Sequence, residues 1–261
     1  MSDLMLFQTA LREYLTAKRF AVAVAVVLLP SLLAVLWKYS TDSTLFDPRL
    51  AYDALALGLV FGFILIITSM LAGTSVVSQE MERKSIVYLL TRPVPRARIL
   101  LARFLGMLVP AALTACLSAF LLAVTCFGPR NLSDAPLMRD LGVLLIGAFA
   151  YGSLALLLST LLRKAIMYAI YFAFGWENTV SNLPGSFRKI SIITYLKVLA
   201  PHSPPSNGNS DLVEILQQLS PPKAITPSSA VIVLFAVTVA AVVLAALVFT
   251  LREYSPKDDA A

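Results

Sequence analysis

The densest run of ionisable side chains lies between Ser78 and Arg98, SQEMERKSIVYLLTRPVPRAR. Glu80 and Lys84 stand four apart, in the order that favours a helical ion pair worth a few tenths of a kcal/mol. Ile86, Leu89 and Leu90 give the same helix an apolar side, and Pro93 and Pro95 end it. Arg96 and Arg98 follow where the chain turns apolar again. A short amphipathic helix with a stiff turn behind it suits a lever that takes force from a separate protein. The same residues also describe an ordinary basic loop on the cytoplasmic side of a membrane, and their types and spacing leave both readings open.

Other chemistry is sparse. His202 is the single histidine and lies in a run of turn residues, Pro201-His-Ser-Pro-Pro-Ser-Asn-Gly-Asn209, so it reads as a loop residue and not as a ligand or general base. Cys116 and Cys126 share one apolar run without CxxC spacing, as small buried hydrophobes do. Neither a metal-ligand set nor a nucleophile with its base is expected. The chain has no G-x-x-x-x-G-K-[ST] phosphate loop, so any ATP and Mg would be bound by a partner chain and no cofactor is expected in this one.

The elements that must position the charged segment follow from composition. Of 261 residues 58% are hydrophobic and 14% charged, and the mean hydropathy is +0.80, which marks a polytopic all-α membrane protein. The net charge of +6 fits basic loops against lipid headgroups; without a basic face or motif it does not indicate nucleic acid. Runs long enough to cross about 30 Å of hydrocarbon are expected at 20–37, 54–77, 99–127, 141–162 and 230–251. A weaker span at 165–183 must borrow the polar stretch after Trp176. Residues 1–261 thus form one transmembrane domain.

With both termini cytoplasmic, Arg12, Lys18, Arg19, Arg83, Lys84, Arg92, Arg96, Arg98, Arg163 and Lys164 all lie inside, which is the favoured orientation in a cell inner (cytoplasmic) membrane. Residues 1–19 read as an interfacial helix, with Leu4, Phe7, Leu11 and Leu15 on one side. The apolar run after it continues past Pro30 without a cleavage pattern, so it is read as a retained anchor. Residues 184–229 form a long loop outside, with an apolar stretch from Ile190 to Leu199 and a short helix expected from Asp211 to Leu219. Trp37, Tyr39, Tyr52, Trp176 and Tyr254 fall near span ends, where such rings favour headgroups. Gly58 and Gly62 make a GxxxG pair expected to let two helices approach closely. Asp53, Arg103, Asp140 and Glu177 are all placed near span ends, leaving the span interiors without ionisable groups.

The charged segment resembles the cytoplasmic loop of ABC-2 type permeases. That family shows a glycine, an acidic-basic E-x-E-R core, a small hydroxyl residue, paired leucines and an R-P-V-x-R turn. Here these positions are Gly73; Glu80, Glu82, Arg83 and Ser85; Leu89 and Leu90; and Arg92, Pro93, Val94 and Arg96. Lys84 stands where the family more often has glycine, and Ser85 where it often has threonine. The amphipathic start, six spans, long loop before the last span and the Leu-Pro-Gly…Ser-Ile pattern from Leu183 to Ile192 fit in outline.

The resemblance implies that residues 78–98 form a coupling helix seated in a cleft of an ABC-type ATPase subunit. Glu80, Met81, Glu82, Arg83, Lys84, Ser85, Ile86, Leu89, Leu90, Arg92, Pro93, Pro95 and Arg96 are then the candidate coupling residues. It further implies an exporter built from two permeases and two ATPases, as a homodimer or pseudo-dimer, with short half-helices before the sixth span. Spans without charge favour a lipid-like or amphiphilic substrate. An ion-coupled secondary transporter and a non-transporting membrane anchor are the competing expectations; the first needs ionisable groups at mid-membrane depth.

Overall fold

The computed structural model describes residues 17–40, 47–82, 96–129, 131–132, 135–162, 164–177, 179–180, 189–200, 202 and 226–251, and within these every side chain except those of residues 17–19, 78–82 and 96. All regular elements among them are helical. In order they are α1 (Ala17–Ser40), α2 (Pro48–Leu55), a π-helical stretch (Ala56–Ile64), α3 (Leu65–Glu82), α4 (Arg96–Phe127), α5 (Leu137–Leu161), α6 (Ala165–Tyr171), a second π-helical stretch (Phe172–Glu177), α7 (Ile192–Leu199) and α8 (Pro227–Leu251).

Among the described residues, five helices are long and apolar enough to span a membrane: Phe20–Ser40, Pro48–Val77, Ala97–Phe127, Leu137–Leu161 and Pro227–Leu251. Two begin several residues before the apolar runs expected at 54 and 141. At the first, Asp47 caps the helix by accepting from the Arg49 N–H at 2.9 Å, and Pro48 supplies a preset first turn. The polar residues gained, Tyr52, Asp53 and Asp140, are covered by one another and by His202, as described below.

The span Pro48–Val77 runs through α2, the π stretch and α3 without a break, and α3 packs most extensively on α5. The two are parallel: Tyr52 meets Asp140 at one end, and Gly73 meets Gly152 further along. A Cβ on Gly73 would collide with the Gly152 carbonyl oxygen, and one on Gly152 with the Leu108 side chain of α4. At Gly73 glycine is required because α3 and α5 meet backbone to backbone there; at Gly152 the neighbour is the flexible Leu108 side chain. The Gly58–Gly62 pair lies elsewhere. Gly58 opens onto space with no atom within 4 Å, and a Cβ on Gly62 would approach only its own helix at the Leu57 carbonyl oxygen. Within the chain, the close helix approach is at Gly73 on Gly152.

The long helices α1 and α8 lie on the outside, with most of their apolar surface exposed. In a lipid solvent that exposure is the counterpart of a polar surface in water.

Of the crossing expected at 165–183, residues 178 and 181–183 lie outside the described residues. The helix from Ala165 reaches Glu177, thirteen residues or about 20 Å. The apolar stretch expected in the outside loop is instead α7, packed into the bundle against α8 and α5, with Leu196 fully buried against Gly147. α6 with its π extension and α7 thus lie one beyond the other along α5 as two half-helices. The interfacial helix at residues 1–16, the helix at 211–219 and Tyr254 lie outside the described residues.

Candidate functional site

Two buried polar centres sit at the two ends of α7. The first is built on Glu177. Its Oε1 accepts hydrogen bonds from the Tyr151 hydroxyl at 2.5 Å, the Ser191 hydroxyl at 3.0 Å and the Ile193 N–H at 2.6 Å. Ser191 is the N-cap residue of α7, yet its side chain does not cap the helix. It donates to Glu177, and the Glu177 carboxyl takes over the cap by accepting from the first turn, where helix N–H groups have no partner and favour negative charge. One side chain thereby joins the end of one half-helix to the start of the other.

The depth of this centre follows from Tyr151. At 1.5 Å per residue, Tyr151 is about 21 Å from Leu137 and about 15 Å from Leu161, near the middle of its span. Glu177 is 1% exposed, and its Oε2 is buried without a hydrogen-bond partner. The expectation that ionisable groups stay near span ends is therefore corrected at Glu177. The reason is tertiary packing: Glu177 follows an apolar helical run and reads as a span end, but the fold sets its carboxyl against Tyr151 at the middle of α5.

The second centre closes the other end of α7. His202 lies just past that helix with its side chain fully buried between Asp53 of α2 and Asp140 of α5. Nδ1 is 2.8 Å from Asp53 Oδ1. Nε2 is 3.3 Å from Asp140 Oδ1, within ion-pair range but not aligned as a hydrogen bond. The Tyr52 hydroxyl donates to Asp140 Oδ2 at 2.7 Å, and the rings of Tyr52 and Phe61 stand 5.9 and 5.8 Å from the imidazole. Burial favours the neutral ring, but the nearby carboxyl groups of Asp140 and Asp53 together outweigh it, and the His202 pKa is raised.

His202 is therefore a bundle residue, not a free loop residue. Tyr52 is fully buried and bonded, so it does not serve as a headgroup anchor, and Trp176 lies beside Glu177 at mid-depth. Trp37 and Tyr39 are exposed near the end of α1. Cys116 and Cys126 are free thiols, the second buried. Hydroxyls within the spans, among them Thr74, Thr114, Ser153 and Ser159, bond to carbonyls of their own helices.

The candidate coupling residues Arg83, Lys84, Ser85, Ile86, Leu89, Leu90, Arg92, Pro93 and Pro95 lie outside the described residues; Glu80, Met81 and Glu82 fall in the last turn of α3, and Arg96 begins α4. Reading along the chain misses both polar centres. The available signals are an acidic residue closing an apolar helical run at Glu177, and a lone histidine in a chain whose Asp53 and Asp140 each lie near the start of a span.

A family model described as ABC-2 family transporter protein matches residues 5–254. No curated protein matches the chain.

Proposed function

Because the chain belongs to the ABC-2 transporter family, as a membrane permease component, we propose that it forms the substrate pathway of an ATP-driven exporter powered by a separate ATPase subunit. The observation that carries this reading is the family match over residues 5–254 on a bundle with five membrane-length helices. Two permeases, identical or paired with a relative, would sit on two ATPases in the cytoplasmic membrane, with both termini inside.

In this mechanism nucleotide closes the ATPase pair, and the segment from Glu80 to Leu90 moves with it. Glu82 and Arg83 make the polar contacts, Ile86 and Leu89 dock in the ATPase cleft, and Pro93 and Pro95 keep the turn stiff. Support comes from what the segment connects. It joins α3, ending at Glu82, to α4, beginning at Arg96, and these two helices pack together. A push on residues 83–95 would reach both, and the spans would rock between two openings. Spans that are mostly apolar along their length would suit an amphiphilic substrate.

The test is reconstitution with the cognate ATPase in vesicles. Glu82→Ala or Arg83→Ala should cut transport and coupled ATP hydrolysis at least about tenfold while membrane insertion persists. Unchanged transport in both variants would refute the assignment.

One observation favours a second reading. Glu177 is an acidic group at mid-depth beside an interrupted crossing, a feature shared with ion-coupled transporters. Transport driven by a proton or sodium gradient without any ATPase would establish that reading in place of the first.

A further inference from the structure

The half-helix α7 is pinned at both ends by side chains from other elements, and the two pins differ. At its start, Glu177 Oε1 gathers three donors, one of them the backbone N–H of Ile193. At its far end, His202 makes one well-formed contact, to Asp53, and a second, to Asp140, that is close but misaligned. Between them Leu196 fills the space left by Gly147. The end that releases more readily is the His202 end.

We infer that His202 is a clasp, a positioning residue whose contacts with Asp53 and Asp140 hold α7 closed against two spans and must part when the bundle opens at that end. The inference rests on the permease reading for the timing of release, because Asp53 and Glu82 belong to one unbroken helical run. Motion imposed near Glu82 would be felt at Asp53, about 40 Å away at 1.5 Å per residue. Asp140 starts the helix that carries Gly152 and Tyr151, so a shift of α3 on α5 changes the spacing of the two carboxylates around the ring.

Among the described residues, the groups facing the imidazole are Asp53 and Tyr52 from α2, Asp140 from α5 and the Phe61 ring from the π stretch. Loss of the ring proton leaves a neutral ring between the half-buried Asp53 and the buried Asp140, and much of the attraction that closes the clasp disappears.

The test uses the full chain with its ATPase in vesicles, with Cys116→Ala and Cys126→Ala and a single reporter thiol, Leu196→Cys. A membrane-impermeant maleimide is applied to each face in turn, and each labelling rate is divided by that of the unfolded chain at the same pH. With His202 present, labelling should be slow. His202→Gln and Asp53→Asn should speed labelling from the His202 face by about tenfold, since removing one partner of a buried charged pair shifts an opening equilibrium at least that far.

The exchange Asp53→His with His202→Asp should return labelling toward the original rate, which a simple loss of packing would not. In the chain that keeps His202, the normalised rate should climb between pH of about 6 and about 9, and His202→Gln should remove that climb. Equal, pH-independent rates in all variants would overturn the clasp. ATP-dependent transport is measured on the same vesicles, so a missing ATPase requirement would remove the permease reading while leaving the labelling result in place.

Discussion

His202 Nδ1 lies 2.8 Å from Asp53 Oδ1, a contact between residues 149 positions apart in the chain. Because the folded-state pKa of His202 is raised above its ordinary value of about 6.5, its contribution to stability is fully present below that value. It is lost as pH rises through the folded pKa. The thermal midpoint of the purified protein should therefore fall as pH increases from about 6 to about 9, and His202→Gln should flatten that slope. A slope that is the same in both proteins would assign the pH dependence to other groups.

Glu177 holds three donors with one oxygen, so its removal should cost more than its neutralisation. Glu177→Ala leaves the Tyr151 hydroxyl, the Ser191 hydroxyl and the Ile193 N–H without their acceptor in a buried place. The expected loss is about 2–4 kcal/mol, against about 1 kcal/mol or less for Glu177→Gln, which keeps a carbonyl oxygen there. Detergent unfolding curves for the two variants check the ranking. Equal effects would mean that charge, not oxygen placement, is what this site supplies.

The two glycine positions should behave oppositely. Gly73→Ala must push α3 away from the Gly152 carbonyl and should destabilise by about 1–3 kcal/mol. Gly58→Ala meets open space and gains helix propensity, so it should be neutral or stabilising by up to about 1 kcal/mol. If Gly58→Ala instead disrupts the assembled transporter, Gly58 faces a second copy of the chain; chromatography of the variant complex distinguishes these outcomes.

Tyr52 and Asp140 should prove energetically coupled. Tyr52→Phe removes the hydroxyl that donates to Asp140 Oδ2 and should cost about 0.5–2 kcal/mol. In combination with Asp140→Ala the two effects should fall short of additivity by at least about 0.5 kcal/mol, because they remove the same bond. Strict additivity in unfolding measurements would place the two side chains apart in the working protein.

Much of the architecture was legible along the chain because membrane insertion depends on a local property. A run of about 20 apolar residues must be helical in lipid, whatever surrounds it, and five such runs became five membrane-length helices within a few residues of their expected limits. The motif from Gly73 to Arg96 pointed to the family in the same way, since it is carried by residue types at short spacing. The match over 5–254 bears that out.

What remained for the tertiary structure to decide were relations between distant segments. Nothing local distinguishes a glycine with open space around it, such as Gly58, from one that admits a neighbouring backbone, such as Gly73. Nor does position in the chain report depth in the bundle. Glu177 follows an apolar run and reads as a span end until the fold sets its carboxyl against Tyr151 in the middle of α5. His202 reads as a loop residue until the fold draws its ring between two carboxylates that begin other spans. An unpaired charge in an apolar interior is too costly to persist, so such residues become interior only when partners from elsewhere in the chain arrive with them, and that arrangement exists only in the folded protein.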